Sequence, residues 1–189
     1  MIINILGKGD GYKDIEKIID LPVEERGEIW GVNDAFVRHK CEKTFHMHDL
    51  NVWQDREESV SSTKLCIEHA KNYPDMEFFT IKRYDKIPNA KEYPLDEIVK
   101  YFGTNYFTNG ISYMIAYALY KGVTQLNLYG VNMTHQTEYI AQKPNVEYWL
   151  GRAQGAGVKV NFQWQYTSLL KSKDGQVYGY FFDQYRIDY

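Results

Sequence analysis

Apolar positions recur along this chain in two rhythms that take turns. Residues 1–6 (MIINIL) form a nearly continuous apolar run that stops at the turn GKGDG, residues 7–11, as a buried strand does on entering a glycine turn. Similar short runs occupy 28–33 (EIWGVN), 43–47 (KTFHM), 76–81 (MEFFTI), 125–129 (QLNLY) and 158–162 (VKVNF). Between them lie helical spacings. Ile15, Ile18 and Ile19 mark one over 12–19, and Leu65, His69 and Tyr73 share a stripe of another over 57–73. Over 109–120, Ile111, Ile115, Ala118 and Leu119 fall on one face, and Gly122 stands where a helix-ending glycine belongs. A last helix is predicted over 146–155, while 87–103, with two prolines and scattered aromatics, has no clear rhythm.

Strands alternating with helices imply right-handed crossovers. The expected fold is therefore α/β: a doubly wound, mostly parallel sheet with flanking helices, Rossmann-like, in a single domain. No repeat, low-complexity tract or Pro/Gly/Ser linker divides the chain. Residues 1–170 are expected to form the body of the domain, and 171–189 an aromatic tail packing on it or on another copy.

Composition narrows the function classes. With 44% apolar and 25% charged residues, the 189-residue chain can bury a core. A net charge of -3 gives no bulk attraction for nucleic acid or an anionic membrane. No apolar run reaches the roughly 18 residues of a membrane span. Cys41 and Cys66 form no disulfide or zinc pattern and suit a reducing cytoplasm. The 17 tyrosines are suited to stacking on rings or to interfaces. The aromatic stretch 178–189 (YGYFFDQYRIDY) points to a homo-oligomer contact or to packing on the sheet edge.

In open parallel sheets ligands bind beyond the carboxyl ends of the strands, where strand order reverses. The candidates are thus the residues that follow each strand. The turn at 7–11 lets backbone N–H groups approach an anion, or simply makes a tight strand-to-helix turn. It lacks the third-glycine spacing of a dinucleotide fingerprint and the Gly-Lys-Ser/Thr of a P-loop. Asn33 offers an amide for a ribose hydroxyl or a base edge, or serves as a turn residue. His46, His48 and Asp49 invite a metal reading, but no third ligand stands at a recognisable spacing, so His48 is kept as a rim residue and no metal is expected. The stretch NMTHQTEYIAQ, 132–142, is the densest polar cluster. In it His135 and Glu138 are acid–base candidates, while Tyr139 and Gln142 can orient a substrate. A solvated loop is the alternative reading.

Taken together, ILGKGDGYKDI, IWGVND, CEKTFHMHD and NGISYMIAYALYKGVTQLNLYGVNM resemble the sialyltransferase-like and motility-accessory-factor (DUF115-like) group of Rossmann-type proteins. Small phage-encoded members are the most similar, through LYGVNM at 128–133, Glu138-Tyr139, Gln142 and EYWLG at 147–151. The resemblance covers residues 1 to about 170. It implies that Gly7, Gly9 and Asn33 contact a nucleotide, and that Asn109, Gly110 and Ile111 line its base or ribose. Gly130 and Asn132 would close that side, and Tyr139 would hold a phosphate. Two departures stand out. The sialyltransferases carry their general-base histidine well after this strand, whereas no histidine here follows His135, and the family's strand-end aspartate is Asn132.

The function expected is that of a glycosyltransferase-like protein, phage-encoded and acting in the host cytoplasm, that moves a sugar from a nucleotide-activated donor to an acceptor. His135 or Glu138 would deprotonate that acceptor. The nucleotide sugar is a substrate, no cofactor is needed, and no DxD pair holds a divalent ion. Two alternatives remain open. One is a non-catalytic binder of a nucleotide or nucleotide signal, in phage assembly or counter-defence. The other is pyrophosphokinase or nucleotide-sugar hydrolase chemistry on the same scaffold.

Overall fold

A computed structural model describes the chain apart from residues 54–59, 136–137, 173–174, 180–185 and 188–189, and apart from the side chains at 52, 53, 60–62, 138 and 139. Among the described residues there are seven strands: β1 (Ile2–Leu6), β2 (Glu28–Val32), β3 (Lys43–His46), β4 (Glu77–Thr80), β5 (Ala90–Glu92), β6 (Gln125–Tyr129) and β7 (Lys159–Phe162). They form one sheet in the order β5-β4-β3-β2-β1-β6-β7. Every pairing among these seven strands is parallel, so the expected mostly parallel sheet is wholly so in the described residues. The chain winds outward from β1 to β5, then crosses back to lay β6 against the free side of β1. That reversal puts the switch point between β1 and β6.

The helices divide between the two faces. α4 (Leu95–Phe102), α5 (Gly110–Tyr120) and α6 (Lys143–Gly155) carry one core, with Ile3, Ile5, Trp30, Phe45 and Phe79 from the sheet. The opposite core takes Leu6, Ile29 and Phe78, together with Phe36, Leu50 and Cys66 from the crossovers. Neighbouring residues of a strand thus point to opposite cores, and burial on both sides is why the central strands read as unbroken apolar runs. Asn4 is the exception within β1. It is fully buried and donates to the carbonyls of Arg26 (2.7 Å) and Glu28 (3.3 Å). Its own oxygen accepts from Asn127 (2.8 Å), and Asn127 in turn accepts from Asn161 (2.7 Å), so an amide row crosses three strands in register.

Several elements depart from the sequence expectation. Residues 12–19 hold a 3-10 helix, Tyr12–Lys17, rather than a regular helix; Ile15 and Ile18, three apart, face the same core, as a three-residue turn demands. The unreadable region contains β5 and α4. β5 is a three-residue edge strand in which only Ala90 is buried, so it carries no apolar run. α6 begins at Lys143, with Pro at its start, and a π-helical turn, Glu138–Gln142, precedes it. Short helices α1 (Val23–Arg26), α2 (Leu50–Trp53) and a 3-10 turn, Asn33–Val37, are too brief to leave a period. α3 (Val60–Ala70) falls within the 57–73 prediction and ends three residues short of it, in a turn before Tyr73. The aromatic tail lies mostly outside the described residues; Tyr178 is 97% exposed, and the Ile187 N–H donates to Gly175 (3.0 Å).

Candidate functional site

α5 is set by both of its ends. Asn109 caps it, its side-chain oxygen accepting from the Ser112 N–H at 3.0 Å. At the other end Gly122, with φ 74°, donates to Leu119 (3.0 Å) and Val123 donates to Ala118 (3.1 Å), closing a Schellman turn that leads directly into β6. The unpaired amides of the first turn, at Gly110 and Ile111, are therefore held at the carboxyl end of the sheet.

Across from them the loops after β1 and β6 are stitched together. Gly7 N–H donates to Tyr129 (2.8 Å) and Gly9 N–H to Gly130 (2.9 Å). The Asn132 amide bonds the Asp10 backbone twice, donating at 3.1 Å and accepting at 2.8 Å. A Cβ at Gly7 would intrude on the Gly130 carbonyl, and one at Gly9 would lie 2.8 Å from the Asn132 side chain. Gly130 has φ 63°, open to glycine without strain. The glycines therefore serve close approach of two chain segments. The amides of Gly7, Gly9 and Asp10 are spent on that contact rather than left open as an anion nest.

Between these walls lies a cavity of about 600 Å³. Of the candidate residues, Gly7, Gly9, Asn33, His48, Asn109, Gly110, Ile111, Gly130, Asn132, His135 and Gln142 all line it. The side chains of Glu138 and Tyr139 lie outside the described residues, although their backbone belongs to the π turn on the same side. Lys8, Asp10, Thr108, Met133 and Thr134 also line the cavity. Their signal was proximity alone, since each adjoins a residue chosen for its type. A second omission is the segment after β7. The Gln163 side chain accepts from Gly130 N–H (3.1 Å), Thr167 Oγ1 donates to Val131 O (2.9 Å) and Ser168 Oγ to Met133 O (2.6 Å), so this segment braces the β6 loop from behind. Nothing in its sequence pattern announces that role. Among the described residues no Tyr, Phe or Trp lines the cavity. Tyr93 and Tyr117 instead pack in the core, with ring centroids 5.9 Å apart.

The two histidines at the end of β3 and just beyond it take separate roles. His46 is fully buried, with Nε2 3.3 Å from Thr63 Oγ1 and Nδ1 3.6 Å from Cys66 Sγ. Burial, aided by the neighbouring His48, pushes its pKa down to about 3. His48 reaches the cavity, and its half-buried setting also lowers its pKa. Asp49 turns away to Asn51 N–H, Lys82 and Tyr84. The three do not converge, and among the described residues no group of three acidic, His or Cys side chains is placed to hold a metal. Beneath the first turn Lys8 Nζ meets Asp34 Oδ1 at 2.5 Å, with the carboxylate 7% exposed and the lysine 35%.

No helix among the described residues is long and apolar enough to cross a membrane. No protein-family model and no curated protein matches the chain. Among solved structures it is similar to the sialyltransferase CstII from Campylobacter jejuni, determined in complex with a substrate analogue, CMP-3FNeuAc. The identity is 16% and the TM-score 0.54, over 89% of this chain and 84% of that one. At that identity the shared property is the fold, a Rossmann-like α/β domain.

Proposed function

We propose that the chain binds a nucleotide-activated sugar in the cavity at the β1/β6 switch point and transfers the sugar to an acceptor hydroxyl. The observation that carries this reading is the coincidence of that cavity with the first turn of α5, in a fold shared with a sialyltransferase bound to a CMP-sugar analogue. A helix N-terminus favours an anionic group through its unpaired N–H donors and its dipole. The donor phosphate belongs beside Gly110 and Ile111, with the base or ribose against Asn33 and Asn109. Gly7, Gly9, Gly130 and Asn132 give that cavity its wall.

In the transfer step the acceptor oxygen attacks the anomeric carbon and loses its proton to a general base. The bond from that carbon to the phosphate oxygen breaks, and the nucleotide leaves with the electron pair. His135, on the cavity wall, is the base; Glu138 is the other candidate, and Tyr139 is the phosphate contact implied by position. His48, whose pKa burial lowers, serves the rim as a hydrogen-bonding group.

The test is a panel of CMP-, UDP-, GDP- and ADP-sugars read by thermal shift and by mass spectrometry with mixed glycan acceptors. A bound donor raises stability by mass action, about 2.7 kcal/mol at a hundred times its dissociation constant. Transfer in the wild type that falls by roughly 10²–10⁴-fold in His135→Ala, with donor binding retained, is the expected result. Binding without turnover would make the protein a nucleotide-sugar sensor. Nucleotide release without an acceptor would make it a hydrolase. A flat panel would remove the nucleotide reading altogether.

A further inference from the structure

We infer that Lys8 is the cationic anchor for the ligand's phosphate, and that Asp34 is the positioning residue that holds it ready. The inference rests on the reading of the cavity as a nucleotide site, and it adds to that site a residue type which a glycine-rich turn does not require.

Three observations lead to it. First, the turn after β1 cannot act as a backbone anion nest in the ordinary way. The N–H groups of Gly7, Gly9 and Asp10 already donate to Tyr129 O, Gly130 O and the Asn132 side chain. Whatever this wall offers an anion must come largely from side chains. Second, Lys8 is the only lysine or arginine among the described residues that line the cavity. It lines the same cavity as Gly110 and Ile111, beside which the donor phosphate is proposed to lie. Third, its ammonium is not left to roam. Asp34, almost wholly buried, takes one of its three N–H donors at 2.5 Å, while the lysine keeps a third of its surface open.

That arrangement suits ligand capture. A free lysine loses rotamer freedom when it is fixed. A buried carboxylate at its back removes part of that loss in advance, and the remaining N–H donors stay available to the cavity. The pair is close to neutral when the site is empty, and an arriving phosphate shares the ammonium with Asp34. Charge-assisted bonds of this kind are the stronger class of hydrogen bond.

The experiment compares wild type, Lys8→Met and Lys8→Arg by calorimetry against CMP, UMP, GMP and AMP, each beside its own nucleoside. For the tightest-binding nucleotide, Lys8→Met is expected to lose roughly 10- to 100-fold in affinity, the range for a lost charge-assisted hydrogen bond. The nucleoside should bind it as before, and Lys8→Arg should recover most of the loss. Equal weakening for nucleotide and nucleoside, or no weakening, overturns the assignment while leaving the nucleotide site standing. A wild type that binds no nucleotide or nucleotide sugar overturns both. Should Lys8→Met fail to fold, reductive methylation of the wild type decides. Protection of Lys8 by the nucleotide but not the nucleoside, with Lys13 and Lys17 unprotected, supports the anchor; a Lys8 that is equally reactive, or unreactive, in both states refutes it.

Discussion

At the scale of single residues, the two clearest dependences concern Gly7 and His46. Gly7→Ala would push a methyl into the Gly130 carbonyl. We expect about 1–3 kcal/mol of destabilisation, measured by urea unfolding, together with loss of ligand binding because the two loops that form this wall of the cavity separate. His46 stays neutral in the folded chain down to about 3, whereas the unfolded chain protonates it near the ordinary histidine value. Its contribution is complete above that ordinary value and disappears as pH falls from there toward 3. The slope it adds is at most about 1.4 kcal/mol per pH unit. His46→Gln should flatten the fall in urea midpoint between pH 6.5 and 4, although His48, shifted in the same direction, leaves a residual slope. An unchanged profile would mean that His46 titrates normally. His48, His135 and Gln142 were legible by type and position, yet only coordinates separate His46, sealed against Thr63 and Cys66, from His48 two residues on.

At the scale of elements, α5 links sequence to site most directly. Its two caps can be tested independently. Asn109→Ala removes the bond to Ser112 N–H and should cost about 1 kcal/mol, with weakened nucleotide binding besides. Gly122→Ala places a side chain at φ 74° and should cost about 1 kcal/mol with no change in binding, since nothing near it touches the cavity. If both variants bind equally well, Asn109 is a cap and nothing more. The apolar face and the terminal glycine made this helix readable to within a residue, whereas the cap at Asn109 came from the structure. β5 and the 3-10 turns were not, because a three-residue edge strand and single turns are too short to repeat any pattern.

At the scale of the whole molecule, stability and site are separable. Arg26 and Glu42 form a paired bridge of 2.8 and 3.1 Å, and Glu42 also accepts from Ile29 N–H at 2.6 Å, holding β2 against the start of β3. Burial by itself would raise the Glu42 pKa, but the Arg26 guanidinium and that N–H outweigh it and bring it below the usual carboxylate value. Glu42→Ala should cost about 3 kcal/mol near neutral pH, with ligand affinity unchanged. The deficit should shrink once acid protonates the wild-type carboxylate. An affinity loss matching the stability loss would show that the two are coupled. The tail poses a separate question. Removing residues 176–189 is expected to lower the particle mass in light scattering, and an unchanged mass excludes it from any subunit contact.

What the chain's order of residues determined alone was the alternation of buried strands and helices, and with it a parallel sheet whose loops carry the polar residues. Those follow from local periodicity, because burial on two faces and on one stripe leave different spacings. The tertiary structure decided which strand lies beside β1, and hence where the loops meet. It also decided that the glycine amides are used up on the β6 loop, and that Lys8 backs onto Asp34, 26 positions away. Contacts between distant segments depend on chain reversal and packing, which impose no period on the residues that make them.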